Sequence, residues 1–359
     1  MIIKRGNMVE IKSYLDYLIE NTTPDKTAWN IENLKEKKTL KWNYIDCLMT
    51  KAILEFYFTT KEKKYLDFVI EFIDYYVNEN GEILGYDVED YNCDNINGGK
   101  VLLSLYELTK KECYKKAIDL LYYQIKNQPR VKSGNFIHKL IYPNQVWLDG
   151  LYMVQPFYME YEMKFNNKIN YRDIYNQFEN VYNTMKDSKT NLLFHGYDES
   201  KEIFWSDKKT GLSKNFWLRS LGWYSMALVD TIEKTDEAFF YEYEILQKYL
   251  KEIIDALLYF IDEEEKMFYQ VVDKTNEEGN YLETSGSSAI AYTILKSTRL
   301  GYLPCSYKKI GNEIFQSIYK NKLTQDGNTY KLNDICLVAG LGGMQGRGAY
   351  KTRDRKSKP

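Results

Sequence analysis

The chain has 359 residues, of which 44% are hydrophobic and 16% aromatic, with 49 basic side chains against 51 acidic ones. That is enough material for a large core, and the near-zero charge balance excludes the one-signed surfaces used against nucleic acid or anionic membranes. No run of about 18 apolar residues occurs and the amino terminus lacks a continuous apolar stretch, so a cytoplasmic protein acting on a small molecule is expected.

The first amphipathic helix is predicted over Val9 to Ile19, followed by a polar linker around Thr22, Thr23, Pro24 and Asp25. From Trp42 the helical period is clear, with Ile45, Leu48, Met49, Ala52, Ile53 and Phe56 on one stripe. The same spacing returns in Tyr65, Phe68, Val69, Phe72, Ile73 and Tyr76. Adding 49 to each number gives Tyr114, Ala117, Ile118, Leu121, Tyr122 and Ile125, and TTKEKKY is echoed by LTKKECY. This is an internal repeat of a helical hairpin. Later copies place helices over about Phe216 to Ile232, Tyr171 to Met185, Leu246 to Leu257, Ser285 to Leu300 and Tyr307 to Ile318, about eleven in all. Stacked hairpins make an all-α fold. Long aromatic connections (Gly81 to Gly99, Ser133 to Trp147, Asn191 to Trp217, Lys266 to Gly286) recur at one end of the inner helices, as a closed ring around one cleft requires.

The junctions of those connections with the helices hold the candidate chemistry. In QVWLDGLYMVQPF, Asp149 lies among Trp147, Leu148, Leu151, Tyr152 and Met153, where burial should lift its pKa toward the neutral range and make it a proton donor. Capping of the following helix is the plainer use for such an Asp, and Pro156 should break or kink that helix. Asp94 opens DNINGGKVLL, as a cap or as the second carboxylate that glycosidases use. FIHKLIYPNQVW supplies His138 and Lys139, and LLFHGYD supplies His195, which could equally be packed or surface imidazoles. Trp217, Arg219 and Trp223 surround Gly222 in NFWLRSLGWYSMAL, where a guanidinium that can clamp a carboxylate stands beside indoles that can stack on sugar. An acid, cations and aromatic faces suit an acidic saccharide. Cys47, Cys93, Cys113, Cys305 and Cys336 form no CxxC pair, so neither a zinc site nor a disulfide framework is expected, only reduced and mostly buried thiols.

WLDGLYMVQPF, YNCDNINGGKVLL, HKLIYPNQ, FWLRSLGWYSMALVD, YLETSGSSAIAYTILK and LVAGLGGM, in that order, resemble the unsaturated rhamnogalacturonyl hydrolases of glycoside hydrolase family 105, over about Trp42 to Met344. The resemblance implies an (α/α)6 barrel that removes a 4,5-unsaturated galacturonyl residue from the non-reducing end of pectin-derived oligosaccharides by hydrating the vinyl ether, with no metal or other cofactor. It implies Asp149 as general acid and base and Asp94 as the second acid. Tyr44, Lys139, Trp147, Met153, His195, Trp217, Arg219 and Trp223 would bind the sugar, with Lys139, His195 and Arg219 facing the uronate and Met153 packed beneath.

Two features depart from that pattern. RGNGW of many relatives is Arg219, Ser220, Leu221, Gly222, Trp223 here. After Gly343 the chain reads MQGRGAYKTRDRKSKP, without an apolar stripe, so one domain over 1–344 and a basic, disordered tail over 345–359 are expected, with the twelfth barrel helix missing through truncation or frameshift. The apolar strip left bare would lower stability or favour a homodimer over a monomer. Other readings are an unsaturated glucuronyl substrate, sugar epimerisation, which two histidines serve poorly, and a degenerate, non-catalytic helical scaffold.

Overall fold

Each apolar stripe of the sequence becomes one helix of a hairpin, and the hairpins close around a common axis. The computed structural model describes residues 5–30, 40–337, 340–341 and 355–358. Among these residues are eleven helices longer than ten residues: α1 (Arg5–Glu20), α2 (Tyr44–Thr60), α3 (Lys63–Tyr76), α4 (Gly99–Thr109), α5 (Glu112–Asn127), α6 (Leu148–Phe165), α7 (Tyr171–Met185), α8 (Leu218–Lys234), α9 (Phe240–Leu258), α10 (Thr284–Leu300) and α11 (Tyr307–Asn321). The fold is an all-α (α/α)6 barrel. Helices α2, α4, α6, α8 and α10 form the inner wall, and α6 is buried without interruption from Leu151 to Glu162. The amphipathic helices α3, α5, α7, α9 and α11 pack outside them, each with one apolar face inward.

The 49-residue repeat holds at the level of single bonds. Lys61 and Lys110 both end an inner helix in the left-handed region, at φ 62° and 58°, and donate to the carbonyls of Tyr57 and Tyr106. Thr60 and Thr109 each return a hydroxyl bond to the carbonyl four residues back and accept from the amide two residues on. Tyr65 and Tyr114, at matching positions of α3 and α5, each reach an aspartate on the preceding outer helix, Asp16 and Asp74. The hairpin is therefore copied with its turn and its cross-helix contact.

Two glycines of NINGGK are fixed by close approach. A Cβ on Gly98 would lie 1.9 Å from the Trp42 ring, and one on Gly99 would lie 2.3 Å from the Phe157 ring. Trp42 cannot swing aside, because its indole N–H donates to the Asn95 carbonyl at 2.8 Å. Gly98→Ala is thus expected to destabilise the fold by about 1–3 kcal/mol through overpacking, read as a lowered urea midpoint at unchanged slope.

Short strands tie the connections together. β1 (Gln145–Trp147) pairs antiparallel with β2 (Gly196–Asp198), and β3 (Leu323–Asp326), β4 (Thr329–Cys336) and β5 (Arg355–Lys358) form a second sheet in that order. The remainder of the expected basic tail, 345–354 and Pro359, lies outside the described residues, as does most of the stretch after Gly343 where the twelfth helix was sought. Between α2 and α10 a cavity of about 560 Å³ opens, lined by Ile45, Leu48 and Met49 on one side and by Ser288, Ala289 and Tyr292 on the other. Cys47, Cys93 and Cys336 are buried, Cys113 is half-buried and Cys305 is exposed, and none of the five is in a disulfide. No helix among the described residues is long and apolar enough to cross a membrane.

Candidate active site

Main-chain bonds between connections assemble the site. The register of β1 and β2 sets Trp147 opposite Gly196, and just beyond that pair the Leu148 amide donates to the His195 carbonyl at 3.1 Å. Asp149 and His195, 46 positions apart, are thereby brought side by side, with Nε2 of the imidazole 2.9 Å from Oδ2 of the carboxylate. On the other side of β1 the His138 amide donates to the Gln145 carbonyl at 2.8 Å, and the Cys93 amide donates to the His138 carbonyl at 3.0 Å. That last bond carries Asp94 into place beside the histidine loop.

Neither acid caps its helix. Trp147 is the residue preceding α6, and Asp149 lies in the first turn, aimed at His195. Asn92 caps the single helical turn Cys93–Ile96 by accepting from the Asp94 amide, which leaves the Asp94 carboxylate for other partners. One oxygen pairs with Lys139 Nζ at 2.5 Å and the other lies 3.5 Å from His138 Nε2. His138 is buried between the two acids. It stacks on Trp147 with ring centres 4.5 Å apart, and its Nδ1 would lie 3.3 Å from a Cβ on Gly150. Gly150 therefore makes room for an imidazole.

Electrostatics revise the expectation for Asp149. Burial does push its carboxyl upward, but the charge and hydrogen bond of His195, together with His138, outweigh that push and hold it below the ordinary carboxylate value. Burial also drives the His138 pKa down to about 4, against the pull of Asp94. The hydrogen-bonding pattern gives His195 a proton on Nε2, donated to Asp149, while its buried Nδ1 has no partner.

Trp147 also stacks on Tyr142, 5.2 Å between centres, and turns its edge toward His195. Trp217 lies 6.0 Å from the His195 ring, and Met153 is buried within α6. Tyr44, Arg219 and Trp223 stand together along the upper part of the cavity between α2 and α10, with the Trp223 ring edge-on to Tyr44 at 6.4 Å. So Asp94, Lys139, Trp147, Asp149 and His195 form one cluster with Trp217 at its edge, whereas Tyr44, Arg219 and Trp223 line the cavity, to whose lining none of that cluster contributes. Arg219 is already held inside the protein: it donates to Ser285 Oγ at 2.9 Å and to the Cys336 carbonyl, with Glu283 at 3.5 Å.

Residues 18–359 match the family model described as Glycosyl Hydrolase Family 88. A glycoside hydrolase from family 105 of C. acetobutylicum superposes with a TM-score of 0.86 at 43% identity, over 94% of this chain and 92% of that one. The chain belongs to glycoside hydrolase family 105. Family 105 membership makes it a glycoside hydrolase acting on an oligosaccharide. Among curated relatives, the unsaturated rhamnogalacturonyl hydrolase YesR of Bacillus subtilis is 23% identical over 72% of each chain. The fold also extends to an unsaturated glucuronyl hydrolase from Bacillus sp. GL1, with a TM-score of 0.67 at 11% identity over 92% of this chain and 89% of that one.

Sequence reasoning passed over Glu283. Its carboxylate caps α10 by accepting from the Ser285 and Gly286 amides, and it also accepts from the Cys336 amide while facing Arg219. The available signal was an acid immediately before the small-residue run TSGSS. Read as a cap, that signal would have been correct but incomplete.

Proposed function

We propose that this family 105 enzyme removes a 4,5-unsaturated galacturonyl residue from the non-reducing end of rhamnogalacturonan fragments by hydrating the vinyl ether, in the cytoplasm. The observation that carries the reading is the Asp149–His195 pair, a half-buried carboxylate held 2.9 Å from a buried imidazole beside Trp147 and Trp217. An anionic uronate entering beside it raises the cost of a second negative charge and draws a proton onto Asp149. Asp149 then delivers that proton to C4, leaving a cation at C5 stabilised by the ring oxygen. Water adds at C5 and returns its proton to Asp149, so one water is consumed and the acid is regenerated. The resulting hemiketal opens at the ring oxygen, and the hemiacetal left at C1 expels the remaining saccharide. Asp94, pinned by Lys139, is placed to orient that water and the sugar hydroxyls.

Lys139 and Arg219 are the cations for the uronate, and Tyr44, Trp147, Trp217 and Trp223 the aromatic surfaces, with Met153 behind them. YesR, which acts on unsaturated rhamnogalacturonyl units by its name, supports the galacturonyl assignment. The test is a panel of unsaturated disaccharides, followed by loss of the ultraviolet absorbance of the conjugated acid. Turnover of the rhamnogalacturonan disaccharide well above its glucuronyl counterparts is expected. Preference for a glucuronyl substrate would reassign the sugar and keep the mechanism, whereas absorbance unchanged with every substrate would leave a non-catalytic scaffold.

A further inference from the structure

Helix α6 is continuous from Leu148 to Phe165 with Pro156 inside it, so of the break or kink expected from its sequence the break does not occur. Proline has no N–H, so the carbonyl four residues earlier, that of Tyr152, loses its helical donor. It is not left bare: Lys100, a buried residue of α4, donates from Nζ to the Tyr152 carbonyl at 3.0 Å. The same Nζ lies 3.4 Å from the centre of the Tyr152 ring. That ring stacks on Trp223, 4.9 Å between centres at an interplanar angle of 27°, and Trp223 in turn meets Tyr44. Lys100, Tyr152 and Pro156 all line the cavity that Tyr44, Arg219 and Trp223 border above.

We propose that Lys100 is a positioning residue for the aromatic wall of the site: its amine replaces the hydrogen bond that Pro156 denies to Tyr152 and thereby fixes the Tyr152 ring under Trp223. The role extends the proposed function, since it takes Trp223 to be a surface of the sugar subsite. A buried lysine is otherwise hard to account for here. Burial lowers its pKa to about 7, with Asp230 opposing the shift and Lys51 and Lys296 adding to it. An amine keeps N–H donors in both charge states, so the bond to Tyr152 survives on either side of neutrality.

Lysine and proline are thus two halves of one arrangement, and the test is a double-mutant cycle. Lys100→Met should raise KM for the unsaturated disaccharide about tenfold while kcat changes less than about threefold, because a buried carbonyl is orphaned and Trp223 shifts without touching the proton transfer. Pro156→Ala, which restores an amide donor to Tyr152, should by itself be close to wild type. In the double variant KM should return to within about threefold of wild type. A double variant as impaired as Lys100→Met overturns the proposal.

A readout without substrate keeps this separate from the identity of the reaction. The near-ultraviolet circular dichroism contributed by the Tyr152–Trp223 stack, defined by Trp223→Phe, should be lost in Lys100→Met and regained with Pro156→Ala. Its persistence in Lys100→Met also overturns the proposal, whether or not any disaccharide is cleaved. Should Lys100→Met fail to fold, Lys100→Gln, whose amide can donate to the same carbonyl, should keep the band, and its loss there counts against the role.

Discussion

Asp149→Asn should lower kcat on the preferred unsaturated disaccharide by about 10³-fold, within the range that a positioned general acid and base supplies. Fold and thermal midpoint should stay close to wild type. The amide keeps the size of the carboxyl and its Oδ can still accept from His195 Nε2, so the 2.9 Å contact survives while the transferable proton is gone. Circular dichroism and a rate assay on the same preparation check both halves. An equally active Asn variant would move the acid elsewhere, and Asp94, beside Lys139 and His138, would then be the group to test.

Acidification should cost about 3 kcal/mol of stability between pH 6.5 and pH 4 through His138 alone. An unfolded imidazole takes up its proton near pH 6.5, whereas the buried His138 resists until about pH 4. Over that interval the unfolded state binds more protons, so stability falls as pH falls, and this contribution levels off below the folded value. Asp149, held below the ordinary carboxylate value, adds a loss of the same sign at still lower pH. Asp46, which burial raises, acts in the opposite sense across the carboxylate range. Urea unfolding at pH 7 and pH 4.5 measures the sum, and His138→Gln should flatten the difference. A His138→Gln variant with the wild-type pH slope would show that the imidazole is not what resists protonation.

The helices were legible because their stripes were. Tyr65 to Tyr76 and Tyr114 to Ile125 repeat at a fixed offset, and both are buried faces of outer helices. Pro156 does not break its helix, and the local rule for proline says nothing of a lysine 56 residues earlier that satisfies the carbonyl it strands. For the site, residue types at the junctions of aromatic connections with helices singled out Asp149, Arg219 and the tryptophans. The sign of the Asp149 shift could not be read the same way: His195 is 46 positions away, and only strand pairing reveals that it, with His138, outweighs the push of burial on the carboxyl. Glu283 and Lys100 were missed for a related reason. Each acts on a partner far along the chain, Glu283 on Arg219 and Lys100 on Tyr152, and no spacing within one helix announces such a contact.

Because main-chain pairing of Trp147 with Gly196, and of Leu148 with His195, sets the distance between acid and imidazole, the site should respond very differently to two kinds of genetic change. Exchanging an outward side chain on either strand leaves the alignment intact. Inserting or deleting one codon between Leu192 and Gly196 reverses which side of the ribbon each residue faces, and points His195 away from its acid without unfolding a single helix.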